Sequence, residues 1–392
     1  MATPATSIEL NAARTADDTL ALYVHWPFCV SKCPYCDFNS HVRESVDQAQ
    51  WREALLADLA HEARLLPGRR LTSIFFGGGT PSLMEPATAE AIIDAAHRHW
   101  RADADIEITL EANPSSVEAA RFADLAAAGV NRVSLGVQSL DDAALAFLGR
   151  AHSATEGVGA LDIAQRHFRR VSFDLIYALP AQQPAQWDAM LQRALAFGTG
   201  HLSLYQLTIE PGTRFATMAA RKDFEPLDAE AAADLFELTQ ERTAAAGLPL
   251  YEISNHARPG EESRHNLSYW RYRDYAGVGP GAHGRRLGQR TVRHRKPENF
   301  LSAVSRNGNG LSEEEALTAR EAAHEALVMG LRLAEGIDVE ALGERLGVSA
   351  VIEEAAAARL ESLGLVERSG ARIAVTPAGR LLLDAILAEI AA

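Results

Sequence analysis

From Leu22 to about Leu207 short apolar runs alternate with longer alanine-rich stretches in which apolar residues recur at helical spacing. A short apolar run between turn residues reads as a buried strand, and a stretch with one apolar face reads as an amphipathic helix. Their alternation predicts repeated β-α units around a parallel sheet. Six strands are expected, over residues 22–25, 73–76, 106–111, 132–135, 172–176 and 202–207, with helices over 50–66, 87–99, 116–128, 155–167 and 184–196 between them. Six units are too few to close an eight-stranded barrel. The expected fold class is therefore α/β, a partial (β/α)6 TIM-like barrel, whose sites would lie at the C-terminal ends of its strands.

Between Tyr251 and Gly310 the periodicity breaks, and Arg, His, Gly and aromatic residues crowd together, which predicts an irregular connecting region along the barrel edge. Helical patterns resume at Glu313, Val339 and Ala350. A hairpin over residues 364–375 with a Ser-Gly turn and a last helix from Pro377 follow, an order that is winged-helix-like α+β. The chain thus divides into a tail (1–20), a barrel (21–250), a connecting region (251–310) and a C-terminal unit (311–392).

Composition adds exclusions. At 392 residues, 47% hydrophobic and 23% charged, the chain can bury a large core without disulfides. The net charge of −14 opposes binding to nucleic acid through its phosphates. Residues 311–392 hold seven basic against fifteen acidic side chains, so the winged-helix-like order does not signal a DNA reader. The first twenty residues carry Glu9, Asp17 and Asp18 and no apolar run, so neither a signal peptide nor a membrane span is expected. The three cysteines, an odd number in one tight motif, suit a reducing compartment, and a cytoplasmic location is expected.

Those cysteines, Cys29, Cys33 and Cys36, form C-x3-C-x2-C. Three thiolates in one loop can hold a cubane [4Fe-4S] cluster and leave one iron open for chemistry. A structural zinc wants four closed ligands, for which the nearby His25 and His41 lie outside the usual spacing. A cluster of buried free cysteines is a third reading. Polar residues gather where a partial barrel would place a site: Gly77-Gly78-Gly79-Thr80-Pro81 after the second strand, Glu111 ending the third, Gln138 after the fourth, Asp174 in the fifth and Gln206 at the end of the sixth. The glycines permit close backbone approach with amide donors exposed, or else form a tight turn capped by Thr80.

The cysteine loop after a first strand, the GGGTP turn, the strand-end glutamate and the partial barrel together resemble the radical S-adenosylmethionine (SAM) superfamily. There the amino and carboxylate groups of SAM chelate the open iron, and one-electron reduction yields a 5'-deoxyadenosyl radical. Tyr23-Val-His-Trp-Pro-Phe28 and Gly136-Val-Gln-Ser139 resemble the coproporphyrinogen dehydrogenase group over nearly the whole chain. The dehydrogenase proper has a further cysteine two residues after the last ligand, where this chain has Phe38, and a longer stretch before the motif. With His265-Asn-Leu-Ser-Tyr-Trp270, which matches an HNxxYW motif, these departures point to the sister branch of HemW-type haem chaperones.

The resemblance implies a haem-delivery protein with a cluster and SAM; the alternative it implies is oxygen-independent decarboxylation of coproporphyrinogen III propionates to vinyl groups. It implies a SAM site lined by Glu111, Gln138, Arg150 and Asp174, with Tyr23 and Tyr35 on the cysteine side, Gly78, Gly79 and Thr80 at the turn, and Gln206 as a further candidate. His265 becomes the haem ligand, because the thiolates are committed, and Tyr269 and Trp270 would pack on the macrocycle or fill the barrel edge. The basic run Arg285, Arg286, Arg290, Arg293, Arg295 and Lys296 suits haem propionates, an acidic donor such as a flavodoxin, or anionic lipid, and otherwise a solvated loop. Haem acceptors among membrane respiratory enzymes, peripheral membrane contact and a homodimer are also expected.

Overall fold

The structure, a computed structural model, describes residues 18–391, so nearly all of the expected tail lies outside the described residues. All six expected strands form: β1 (Thr19–Trp26), β2 (Arg70–Gly78), β3 (Arg101–Ala112), β4 (Arg132–Gln138), β5 (Arg170–Tyr177) and β6 (His201–Gln206). They pair in parallel and in sequence order. The first residues of β3, Arg101 to Asp105, were not expected in it, because they are polar and mostly exposed and show no apolar run.

Strand geometry sends alternate side chains to opposite faces. One face, with Leu22, Val24, Ile74, Phe76, Leu110, Val133, Leu135, Phe173 and Leu204, packs under the helices as the main core. The register aligns Ser73 with Glu107, Glu111 with Ser134, Ser134 with Ser172 and Asp174 with Ser203 on the opposite, concave face. The barrel interior is therefore polar, and that lining is what the site is built from.

The helices fall close to expectation, at Gln48–Leu65, Pro86–His99, Ala154–His167 and Pro184–Ala196. The helix expected over 116–128 splits into Ser116–Ala119 and Phe122–Ala127, with Arg121 at the break donating to the carbonyls of Ser82 and Met84.

The region expected to be irregular is ordered. It supplies β7 (Leu250–Glu252), β8 (Asn255–Ala257), β9 (Tyr275–Val278), β10 (His283–Arg286) and β11 (Gln289–Arg293), which β12 (Leu311–Ala316) extends. The result is one twelve-stranded sheet in the order β12-β11-β10-β9-β1-β2-β3-β4-β5-β6-β8-β7. The strands escape the apolar pattern because arginines point into the protein. Arg293 pairs with Asp58 at 3.2 Å and Glu62 at 2.7 Å, and Arg286 pairs with Glu62 at 2.6 Å, all of them buried. Asp58 also accepts from the amides of Gly279 and Gly310. The basic run is thus neither an open cationic patch nor a solvated loop: Arg286 and Arg293 are internal ion pairs, Arg290 pairs with Glu315, Arg285 stacks on Tyr272, and Arg295 and Lys296 are exposed.

The C-terminal unit has its own core, with Leu327, Leu342, Leu346, Leu360, Ile373 and Ile386. Helices Ala319–Gly330, Val339–Leu346 and Glu354–Ser362, a hairpin of Val366–Ser369 with Arg372–Val375, and a last helix Leu383–Ile390 give the winged-helix-like order. Glu313 lies in β12, not in a helix. That helix starts at Ala319, where Thr318 and Glu321 form a capping box.

Removing one partner from a buried ion network leaves the others unpaired in low dielectric. Asp58→Ala is expected to cost about 3–5 kcal/mol of unfolding free energy, read by urea denaturation, whereas an exposed pair such as Arg43–Glu298 should contribute about 1 kcal/mol at most.

Candidate cofactor site

The cysteine loop is held at both ends. Phe28 packs against Trp26 and Trp51 with ring centroids 5.1 Å away in each case, and Phe28–Cys29 pairs in parallel with His41–Val42. The Asn39 side chain donates to the carbonyls of Pro280 and Arg295, both at 2.9 Å. His25 uses both ring nitrogens: Nε2 donates to the Asn39 carbonyl at 2.9 Å and Nδ1 accepts from Tyr23 Oη at 3.0 Å. It therefore has no nitrogen left to serve as a fourth zinc ligand, and the zinc reading loses one of its two candidates.

Cys29, Cys33 and Cys36 are half-buried and face a cavity of about 400 Å³ at the C-terminal ends of the strands. Gly78, Gly79, Thr80, Glu111, Gln138, Arg150, Asp174 and Tyr35 line it with them. Thr80 Oγ1 donates to Cys29 Sγ at 3.5 Å, and Arg150 Nη1 donates to Cys33 Sγ at 3.3 Å. Arg150 is itself anchored by Asn113 Oδ1 at 2.6 Å and the Gly136 carbonyl at 2.9 Å. Burial pushes the Cys29 and Cys36 thiols up, so any metal bound there would have to displace their protons.

The glycine turn differs from both expectations. Its amides are already used: Gly78 N–H donates to Glu111, Gly79 N–H to the Trp26 carbonyl and Thr80 N–H to the Phe28 carbonyl. Glycine is required because a Cβ on Gly79 would stand 2.7 Å from the Phe28 carbonyl oxygen and one on Gly78, at φ +113°, 2.6 Å from the His25 ring. Thr80 makes no side-chain cap; its hydroxyl goes to the cysteine instead. Gln138 has φ +67°, unusual for a non-glycine residue, and its buried Oε1 has no partner, as is true of Arg150 Nε. Unmet polar atoms on a cavity wall are where a polar ligand would bind.

Three expected residues lie elsewhere. Tyr23 does not line the cavity and holds His25. Gln206 donates to the Ala232 carbonyl at 2.7 Å. His265 is buried, with Nδ1 3.1 Å from Ser73 Oγ and its ring stacked on Phe75 at 4.9 Å, so ligation of haem would require helix Arg264–Trp270 to leave the barrel. The tail of its motif fills the barrel edge: Arg332 of the C-terminal unit lies over Trp270 at 4.7 Å. Asn113, Ser40 and His152 line the cavity and were not singled out. Asn113, two residues beyond the strand-end Glu111, was within reach of the same reasoning.

Comparison with known proteins matches residues 23–194 to the Radical SAM superfamily and 317–382 to the HemN C-terminal domain. Heme chaperone HemW of Escherichia coli is 40% identical over 81% of this chain and 83% of its own. The chain belongs to the HemW family of radical SAM proteins. The HemW of Mycobacterium tuberculosis strain H37Rv is 35% identical over 93% of both chains, and the bovine mitochondrial radical S-adenosyl methionine domain-containing protein 1 is 42% identical over 83% of this chain and 78% of its own. In structure, coproporphyrinogen III oxidase (HemN) from Escherichia coli superposes with a TM-score of 0.80 over 98% of this chain and 93% of that one, at 24% identity, a likeness of fold.

Membership of the superfamily implies a [4Fe-4S] cluster and SAM, and the cavity's donor set fits them. Three thiols stand on one wall, and the sequence holds no fourth. Facing them in this HemW-family protein are two acids. Burial, with the Asp174 charge adding to it, pushes Glu111 up to about 8; burial pushes Asp174 up to about 6 against hydrogen bonds from Ser203 and Ser134. The cavity thus has an acid wall ready to accept hydroxyl donors and a cation, Arg150, beside the sulfurs.

Because the folded pKa of Glu111 is raised, the stability it contributes is fully present below 4.5 and is lost as pH rises toward about 8. In protein without cofactors, Glu111→Gln is expected to remove this loss and to gain a few kcal/mol on wild type across that window, with no advantage below it. Urea denaturation as a function of pH measures the difference.

Proposed function

We propose that this protein is a haem chaperone: it binds haem and delivers it to acceptor proteins, carrying a [4Fe-4S] cluster on Cys29, Cys33 and Cys36 and SAM in the adjoining cavity. The observation that carries the reading is the similarity, at 40% and 35% identity over four-fifths or more of the chain, to proteins named as haem chaperones. Position 38 agrees with it. Phe38 is 59% exposed where the dehydrogenase branch has a further cysteine, so no spare thiol stands beside the loop. The fold likeness to HemN, at 24% identity, carries no activity with it.

When bound, the cluster and SAM would supply one-electron reduction chemistry. The chain's own part is to hold and orient: three thiolates fix the cluster, Arg150 sets a positive charge against Cys33, and Glu111 and Asp174 can accept from ribose hydroxyls. Gln138 offers its unmet carbonyl to an amino or base-edge donor. For haem, His283 is an exposed imidazole at the start of β10, near enough to the exposed Arg295 for its charge to act on it, and such a cation suits a propionate. Acceptors in membrane respiratory enzymes and a flavodoxin-like electron donor extend the proposal through the family resemblance. Among the described residues no helix is long and apolar enough to cross a membrane.

Three measurements test it. After anaerobic reconstitution, serine at any of the three cysteines should strip most of the iron while leaving the far-ultraviolet circular dichroism unchanged. On haem titration His283→Ala should shift or lose the Soret band, whereas His265→Ala should keep it and lose about 1–3 kcal/mol of stability through the broken buried hydrogen bond and the cavity left behind. The wild-type protein should pass haem to an acceptor apoprotein and should not turn over coproporphyrinogen III with SAM and a reductant. Robust turnover overturns the chaperone reading.

A further inference from the structure

Asn113 directly follows β3 and lines the cavity with the thiols. Its side-chain amide joins two residues: Oδ1 accepts from Arg150 Nη2 at 2.6 Å, and Nδ2 donates to Thr80 Oγ1 at 3.1 Å. Those two residues are the ones whose side chains reach sulfur. Arg150 Nη1 donates to Cys33 Sγ at 3.3 Å, and Thr80 Oγ1 donates to Cys29 Sγ at 3.5 Å.

The donor inventory of these groups fixes the direction of the chain. A guanidinium has donors only, so the amide oxygen must face Arg150 and the amide nitrogen must face Thr80. A hydroxyl carries one hydrogen. Because Asn113 donates to the Thr80 oxygen, that hydrogen is left for Cys29, and a thiolate there can only accept it. The order runs from Arg150 through Asn113 and Thr80 to Cys29, with a direct branch from Arg150 to Cys33. The amide is also held from behind. Glu111 and Asn113 are two apart along an extended segment and so share a face, and Pro114 disfavours helical backbone at Asn113. The Asn113 N–H donates to Glu118 Oε2 at 2.8 Å, and that buried carboxylate also accepts from Ser82 Oγ.

We propose that Asn113 is a positioning residue for the cluster: it aims the Thr80 hydroxyl at Cys29 and the Arg150 guanidinium at Cys33, and through them raises the reduction potential of a [4Fe-4S] cluster held on the three cysteines. The inference rests on the cofactor reading above. Reduction adds negative charge to the cluster and its sulfurs, and donors aimed at those sulfurs stabilise the reduced form over the oxidised one. One amide thus sets the hydrogen bonds at two of the three ligands together.

The test is a redox titration of the anaerobically reconstituted full chain, without SAM, followed by electron paramagnetic resonance. Thr80→Val is expected to shift the ratio of reduced to oxidised cluster at a fixed potential by about tenfold toward oxidised, ~59 mV for a one-electron couple, as loss of one hydrogen bond to a charged acceptor implies. Thr80→Ser, which restores a hydroxyl, should keep the wild-type ratio. In Asn113→Asp the carboxylate has acceptors only and takes the Thr80 hydrogen away from Cys29. Adding Thr80→Val to that variant should therefore change nothing further, and the new charge is common to both members of the comparison. An equal shift in both backgrounds, or a wild-type ratio in Thr80→Val, overturns the proposal. Should Asn113→Asp assemble no cluster, Asn113→Ala takes its place: a shift at least as large as that of Thr80→Val is expected, and an unchanged ratio overturns the proposal. Wild-type protein that takes up no iron and sulfide overturns the cofactor reading itself, a failure distinct from these.

Discussion

The site depends on how closely β1 and β2 approach at their C-terminal ends. Trp26 and Phe28 accept backbone hydrogen bonds from Gly79 and Thr80, and neither Gly78 nor Gly79 has room for a Cβ. This contact presses the start of the cysteine loop onto the strand ends, so that Cys29 meets Thr80 while Cys33 reaches Arg150 from the far side of the barrel. The loop's other end is tied down by Asn39 and His25. Without that approach the three thiols would belong to a surface loop rather than to a cavity wall.

The barrel's two faces divide the labour. The apolar face buries the large aliphatic and aromatic residues under the helices and drives folding, while the concave face carries serines, acids, arginines and histidines in register. At the cysteine end this lining opens into the cavity, where two carboxyls are kept partly protonated by burial. At the other end it is closed: Glu107 gathers Arg170, the His265 amide and Ser263, and His265 seals the interior against Ser73. One polar surface thus serves as a ligand wall at one end and as a plug at the other.

The HNxxYW segment bridges the plug and the C-terminal unit. Arg271 forms a two-pronged pair with Glu335, Tyr272 donates to Glu325, and Arg332 covers Trp270. A motif that reads as a haem-binding signature is, in the folded chain, a joint between the barrel floor and the winged-helix-like unit.

The sequence by itself determined the order of strands and helices, the cysteine triad and the strand-end Glu111. Each is local: periodicity follows from backbone geometry, and a residue that ends a strand stays at that end whatever packs around it. It also located the hairpin to within a few residues, but not the break at Arg121 in the helix expected over 116–128. Only the tertiary structure decided that residues 251–310 join the sheet, that Arg286 and Arg293 are interior charges, that the glycine amides are already used, and that His265 and Gln206 are away from the cavity. Those facts rest on partners far apart in the chain, Arg293 on Asp58 and His265 on Ser73 among them. A charge or an amide looks the same in sequence whether it meets water, a ligand or a buried partner, and only folding makes that choice.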